Sequence, residues 1–94
     1  TIFLTMKIKL ELFGASRDFS NKDHIEFQIK EKTEIKDFRK EIIYYLEKNF
    51  KGNEDFKKIV ATSAFCSEDN NIITDNYIIS KDQKIGIIPP IGGG

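Results

Sequence analysis

The sequence predicts an α+β roll, a mixed sheet of four to five strands with one main helix packed across it. Three observations predict it. Two stretches near the start alternate apolar and polar residues with period two. The next stretch repeats apolar residues at helical spacing for about four turns. A nearly continuous apolar run, Lys84–Ile88, comes last, as expected of a central strand covered on both faces.

The composition bounds the rest. Ninety-four residues with 39% hydrophobic content make one domain. A chain of this size buries roughly 60–68% of its unfolded surface, enough for one core. Fifteen basic and fifteen acidic side chains give zero net charge. A nucleic-acid binder would carry a basic patch or a high pI, so that class is disfavoured. The single cysteine, Cys66, can make neither an internal disulfide nor a multi-thiolate metal site, which fits a reducing cytoplasm. No apolar run approaches the ~20 residues that a membrane-spanning helix needs. Thr1-Ile2-Phe3-Leu4-Thr5 lacks the basic start and long apolar centre of a signal peptide. Residues 1–5 are therefore expected to be an N-terminal extension or an expression remnant, with Met6 as the natural start.

Taken in order, Lys7–Phe13 places Ile8, Leu10 and Leu12 on one face and Lys7, Lys9 and Glu11 on the other, a half-buried strand. Gly14–Asp18 reads as a loop, with Phe19 folding back over the core edge. His24–Ile29 alternates again, with Ile25, Phe27 and Ile29 inward, and should form an antiparallel hairpin with the first strand. Thr33 is the expected N-cap of the helix. Glu34 and Asp37 suit the positive end of its dipole. Ile35, Phe38, Ile42, Tyr45 and Leu46 form the apolar stripe to near Phe50, and Gly52 is a natural stop. Asn53–Lys58 reads as a polar connection with room for a short helical turn. Ile59–Phe65 reads as a β-prone run with small residues. Ser67–Asn71 is a turn, Ile72–Thr74 a short edge strand, and Tyr77–Ile79 leads to the polar corner Ser80–Gln83. The helix supplies the long connection that parallel pairing of the first and last strands requires. That order suggests the β-grasp, or ubiquitin-like, arrangement over residues 6–90.

The last residues are the part with chemistry. Pro89 and Pro90 lack N–H donors, so strand pairing should stop there. Ile91-Gly92-Gly93-Gly94 is expected to be a slim, flexible tail. It could reach about 13–14 Å at roughly 3.3–3.6 Å per extended residue. Its terminal carboxylate, on Gly94, is the candidate reactive group.

An α+β roll that closes on Ile87-Ile88-Pro89-Pro90-Ile91-Gly92-Gly93-Gly94 resembles the ubiquitin-like sulfur carriers, and within them the MoaD family, the small subunit of molybdopterin synthase. The strand ending in Leu12-Phe13, the small-residue loop Gly14-Ala15-Ser16-Arg17-Asp18-Phe19 and the helix start at Thr33 are similar too. Three features depart from that family. Lys81-Asp82-Gln83 stands where Asp-Gly-Asp is frequent, Gly92 replaces a variable residue, and Phe65–Asn76 is longer than the usual loop. The resemblance implies a carrier cycle. A MoeB/E1-like adenylating enzyme would consume ATP to activate Gly94, which would become a thiocarboxylate. The tail Pro89, Pro90, Ile91, Gly92 and Gly93 would insert into a MoaE-like large subunit, in a heterotetramer, and sulfur would pass to cyclic pyranopterin monophosphate. It also implies an apolar docking surface beside the tail, for which Phe13, Phe65 and Tyr77 are the candidates. The chain would bind no cofactor or metal and carry no catalytic side chain of its own. Alternatives are a ThiS-like carrier for thiazole synthesis, a ubiquitin-like protein modifier and a plain binding module. The Pro-Pro lead-in and the chain length argue against the first of these.

Other candidate residues have structural readings that weigh more. A lone cysteine beside a strand, Cys66, reads as a small buried hydrophobe rather than a sulfur relay. His24 shares a strand face with Glu26 and Gln28 and reads as a surface residue, not a base. Glu68 and Asp69 beside Asn70 and Asn71 read as a turn rather than a cation site.

Overall fold

The computed structural model describes residues 4–91. The two alternating stretches form β1 (Thr5–Leu12) and β2 (His24–Lys30), antiparallel, with Thr5 opposite Lys30 and Glu11 opposite His24. Thr5 thus lies inside the first strand, one residue before the expected domain start. Met6, Ile8, Leu10 and Leu12 are buried on one face, as their alternation requires. Between these strands, the expected loop is a 3-10 helix over Gly14–Phe19. Phe19 is fully buried, and its carbonyl accepts a hydrogen bond from the Tyr45 hydroxyl at 3.0 Å.

β3 (Thr33–Glu34) pairs with β6 (Ile78–Ile79) in a small antiparallel sheet, and α1 (Ile35–Phe50) follows it directly. Thr33 is therefore not the N-cap. Its hydroxyl donates to the Lys30 carbonyl at 2.6 Å. The exposed donors of the first helical turn are met by backbone instead, Ile35 N–H by the Tyr77 carbonyl and Lys36 N–H by the Asp75 carbonyl. α1 lays Ile35, Phe38, Ile42 and Leu46 on the sheet and stops at Lys51 and Gly52, both in the left-handed region.

A second helix, α2 (Glu54–Thr62), replaces both the expected polar connection and most of the expected β-run. The Asn53 side chain caps it by accepting from Phe56 N–H at 3.1 Å, and Glu54 and Asp55 suit its positive end. Phe56 packs on Phe19 and Phe50 with ring centroids 5.1 and 5.0 Å apart, and Val60 is fully buried. That packing outweighs the modest β preference of Ile59 and Val60. Arg39 closes the far end. Its guanidinium donates to the Val60 and Ser63 carbonyls, both at 2.7 Å, pairs with Asp75 at 2.8 Å, and stacks over Phe65.

β4 (Ala64–Cys66), β5 (Ile72–Ile73) and β7 (Gln83–Ile88) complete the main sheet. Among the described residues its order is β2-β1-β7-β4-β5. β7 is central. It runs parallel to β1, with Leu10 beside Ile85 and Leu12 beside Ile87, and antiparallel to β4, with Phe65 opposite Ile87. α1 supplies the crossover that the parallel pair demands. The sheet and its helix form a β-grasp roll.

Candidate functional site

The register decides what each face of the sheet carries. Side chains alternate along a strand and neighbours across it share a face. Ile85, Ile87, Phe65 and Ile73 therefore join Leu10 and Leu12 toward α1. Lys84, Gly86 and Ile88 of β7 face outward with Cys66 and Ala64 of β4 and Ile72 of β5. Near β2 this outer face is charged. Lys84 pairs with Glu11 at 3.3 Å, and Lys9 lies opposite Glu26. Toward β5 it turns apolar.

That apolar half holds a shallow depression of about 340 Å³ lined by Phe13, Cys66, Asn70, Ile72 and Ile88. Phe13 is 40% exposed and Ile72 65%. Gly86 makes the close approach possible. A Cβ there would sit 2.7 Å from the Cys66 sulfur and 3.0 Å from the Phe13 ring. The ring and the thiol thus close over the backbone of β7 where a side chain would hold them off. A larger hollow of about 610 Å³, lined by Leu4, Ile29, Lys32, Thr33, Asp37 and Glu41 among others, lies where β2 hands over to α1, at the far end of the sheet from where β7 leaves it.

β7 runs straight from this depression into Pro89. Pro89 is buried with Gly14 nearby, Pro90 is exposed and Ile91 is fully exposed. The structure therefore places the start of the expected tail beside an apolar surface. Gly92, Gly93 and Gly94 lie outside the described residues.

Of the three residues expected on a docking surface, the structure brings only Phe13 to this depression. Phe65 is a correction. It is fully buried under α1, 6.2 Å between centroids from Phe38, because its register opposite Ile87 turns it inward. Tyr77 is half-buried at the edge of the core near the start of α1, and it does not line the depression. Ile72 and Ile88 were missed by sequence reasoning. Ile88 had a readable signal, since it falls two and four residues after Gly86 and Lys84, on the polar phase of its strand.

The remaining candidates are accounted for locally. Cys66 is a buried free thiol. His24 is partly covered, with its two ring nitrogens 2.8 Å from Asp23 and 3.8 Å from Glu26. The hydrogen bond from His24 holds the Asp23 carboxyl below its usual range. Glu68 anchors its turn by accepting from the Lys84 N–H at 2.8 Å. Among the described residues no group of three or more His, Cys, Asp or Glu could hold a metal ion, and no helix is long and apolar enough to cross a membrane.

No family model matches the sequence, and no curated protein matches it. Solved structures do. One is a protein described as molybdopterin converting factor, subunit 1, from Pyrococcus furiosus, 19% identical, with a TM-score of 0.66 over 92% of this chain and 99% of that one. Another is SAMP1 from Haloferax volcanii, 11% identical, with a TM-score of 0.65 over 94% and 99%. A third is the ubiquitin of Caldiarchaeum subterraneum, 14% identical, with a TM-score of 0.59 over 96% and 99%. At these identities the likeness is one of fold, and this chain has the ubiquitin-like β-grasp fold of all three.

Proposed function

We propose that the protein is a ubiquitin-like sulfur carrier, and that its pathway is molybdenum cofactor synthesis, as the small, MoaD-like subunit of molybdopterin synthase. The observation that carries this is the course of β7. The central strand leaves the sheet through Pro89-Pro90-Ile91, toward three glycines, beside an apolar face formed by Phe13, Ile72 and Ile88. In this reading the apolar face is the surface that docks and the chain beyond Ile91 is the part that inserts.

The chemistry needs little else from this chain. In this reading Gly94 is the working terminus. Its carboxylate, with a pKa of about 3.3–3.7, is ionised and a poor electrophile. A MoeB-like enzyme would join it to the α-phosphorus of ATP with loss of pyrophosphate. Sulfide equivalent supplied by a donor then displaces AMP, forming the C–S bond as the C–O bond to phosphate breaks, and leaves a thiocarboxylate. Placement of that soft nucleophile in a MoaE-like partner supplies rate through proximity. ATP is consumed by the activating enzyme, and this chain contributes no cofactor. The buried lone thiol fits operation in the cytoplasm.

Intact mass measurement tests the proposal. Incubation with the host's adenylating enzyme, ATP and a sulfur donor is expected to add the mass difference between one sulfur and one oxygen, located at Gly94 by fragmentation. Deletion of Gly93 and Gly94 is expected to abolish the gain. Absence of both the gain and an adenylate, with an enzyme active on another carrier, overturns it. Likeness to a ubiquitin favours one second reading, a protein modifier. In that case the activated Gly94 would appear in isopeptide links to lysines rather than as a thiocarboxylate.

A further inference from the structure

We propose that Ser16 is a positioning residue that sets the direction in which the tail leaves the sheet. The proposal rests on the carrier reading above and deepens it. The problem it answers is specific. The ladder between β1 and β7 ends at Leu12 and Ile87. Pro89 and Pro90, just beyond, have no N–H to pair. Hydrogen bonds from their own amides cannot aim the chain there, so packing must.

One turn next to that exit is built to supply it. The Ser16 hydroxyl is fully buried and serves Phe13 twice, accepting from Phe13 N–H at 3.0 Å and donating to the Phe13 carbonyl at 2.7 Å. The Ser16 N–H adds a third bond, the second to that carbonyl, at 3.2 Å. Phe13 is the first residue after β1, so the clamp satisfies the backbone groups that the sheet no longer can. Gly14 is thereby held at φ +56°, with its open side toward Pro89. A Cβ at Gly14 would lie 3.9 and 4.0 Å from the Pro89 ring carbons. On the other side of the clamp, the Phe13 ring covers Gly86. One turn therefore presses on β7 at Gly86 and faces its continuation at Pro89, three residues on, and the solvent-exposed chain begins immediately after Pro89.

A clamp of this kind differs measurably from a residue that merely supports folding. Destabilisation lowers the folded fraction, which raises the apparent KM for the carrier and leaves the rate at saturation unchanged. Misdirection of the tail lowers kcat even at saturation. The test uses the full chain as substrate in ATP–pyrophosphate exchange by the host's adenylating enzyme. S16A is expected to lower kcat by about tenfold to a hundredfold, the scale of a misplacement of about 1 Å. G14A, which strains the turn at its positive φ with the hydroxyl intact, is expected to do the same. An S16A enzyme assay with wild-type kcat, whatever its KM, overturns the proposal. A second readout stands apart from the carrier reading. In 15N relaxation, the order parameter of the Ile91 amide is expected to fall in S16A while those of Leu10 and Ile85 stay at about 0.85. An unchanged Ile91 value also overturns it. If the wild-type chain supports no exchange at all, the carrier reading fails and the relaxation result alone decides the role of Ser16.

Discussion

Phe13 and Phe65 carry the same side chain to opposite fates. Phe65 is fully buried between Phe38 and the Arg39 guanidinium, whereas Phe13 is 40% exposed over Gly86. Phe65→Ala is expected to cost about 3–5 kcal/mol of unfolding free energy, read by denaturant titration. That is a large part of the ~5–15 kcal/mol a domain has. Phe13→Ala is expected to cost only about 1 kcal/mol, because much of the ring is already in water. It should instead weaken association with a partner that docks on the apolar face. Equal stability losses in the two variants would contradict this division. Sequence could not separate them. Phe65 lies in a strand of three residues, too short for alternation to fix its phase, and only the pairing with Ile87 does so. The site was half legible for the same reason. Phe13 stood out as an apolar residue leaving a strand, but Ile72 and Ile88 join it only once register is known.

At the scale of elements, the long alternating strands and the first helix were legible because their periods are sustained. α2 was not. Its Ile59-Val60-Ala61-Thr62 segment favours strand locally, and Phe19, one of the rings that Phe56 packs on to hold it helical, is far away in sequence. The start of α1 was misread in the same way, since its caps are carbonyls of Asp75 and Tyr77 rather than a neighbouring side chain. α1 and α2 are also tied by an ion pair of Lys57 with Glu47, with Glu54 3.6 Å away. The hydrogen bond to Glu47, above all, raises the Lys57 proton affinity. A group raised on folding contributes fully below its unfolded value, about 10.4 for lysine, and loses that contribution as pH rises through the higher folded value. Thermal melts of the wild type are therefore expected to fall more steeply than those of Lys57→Met above about pH 10. Parallel pH curves for the two proteins would rule out this tie.

For the whole molecule, the order β2-β1-β7-β4-β5 joins the two ends of the sequence in the middle of the sheet. Closing that pair requires a loop of most of the chain, so folding should be slow among domains of this size. Protection should be uneven. Amides of β1 and β7 are expected to exchange only on global unfolding, and those of β5 and of the small β3–β6 sheet by local opening. Native-state hydrogen exchange checks this, and equal protection across the five-stranded sheet would contradict it.

The central place of β7 also has a mechanical meaning. Under the proposed carrier function, a tail held by a partner must be withdrawn, and the pull is then delivered to the end of β7 along its own axis. Both neighbours, β1 and β4, flank that axis. Force along it loads the ladders in shear, with the rungs sharing the strain, whereas an edge strand would peel from one end. Under that function, a central β7 lets the fold resist being drawn out by its end better than an edge strand would.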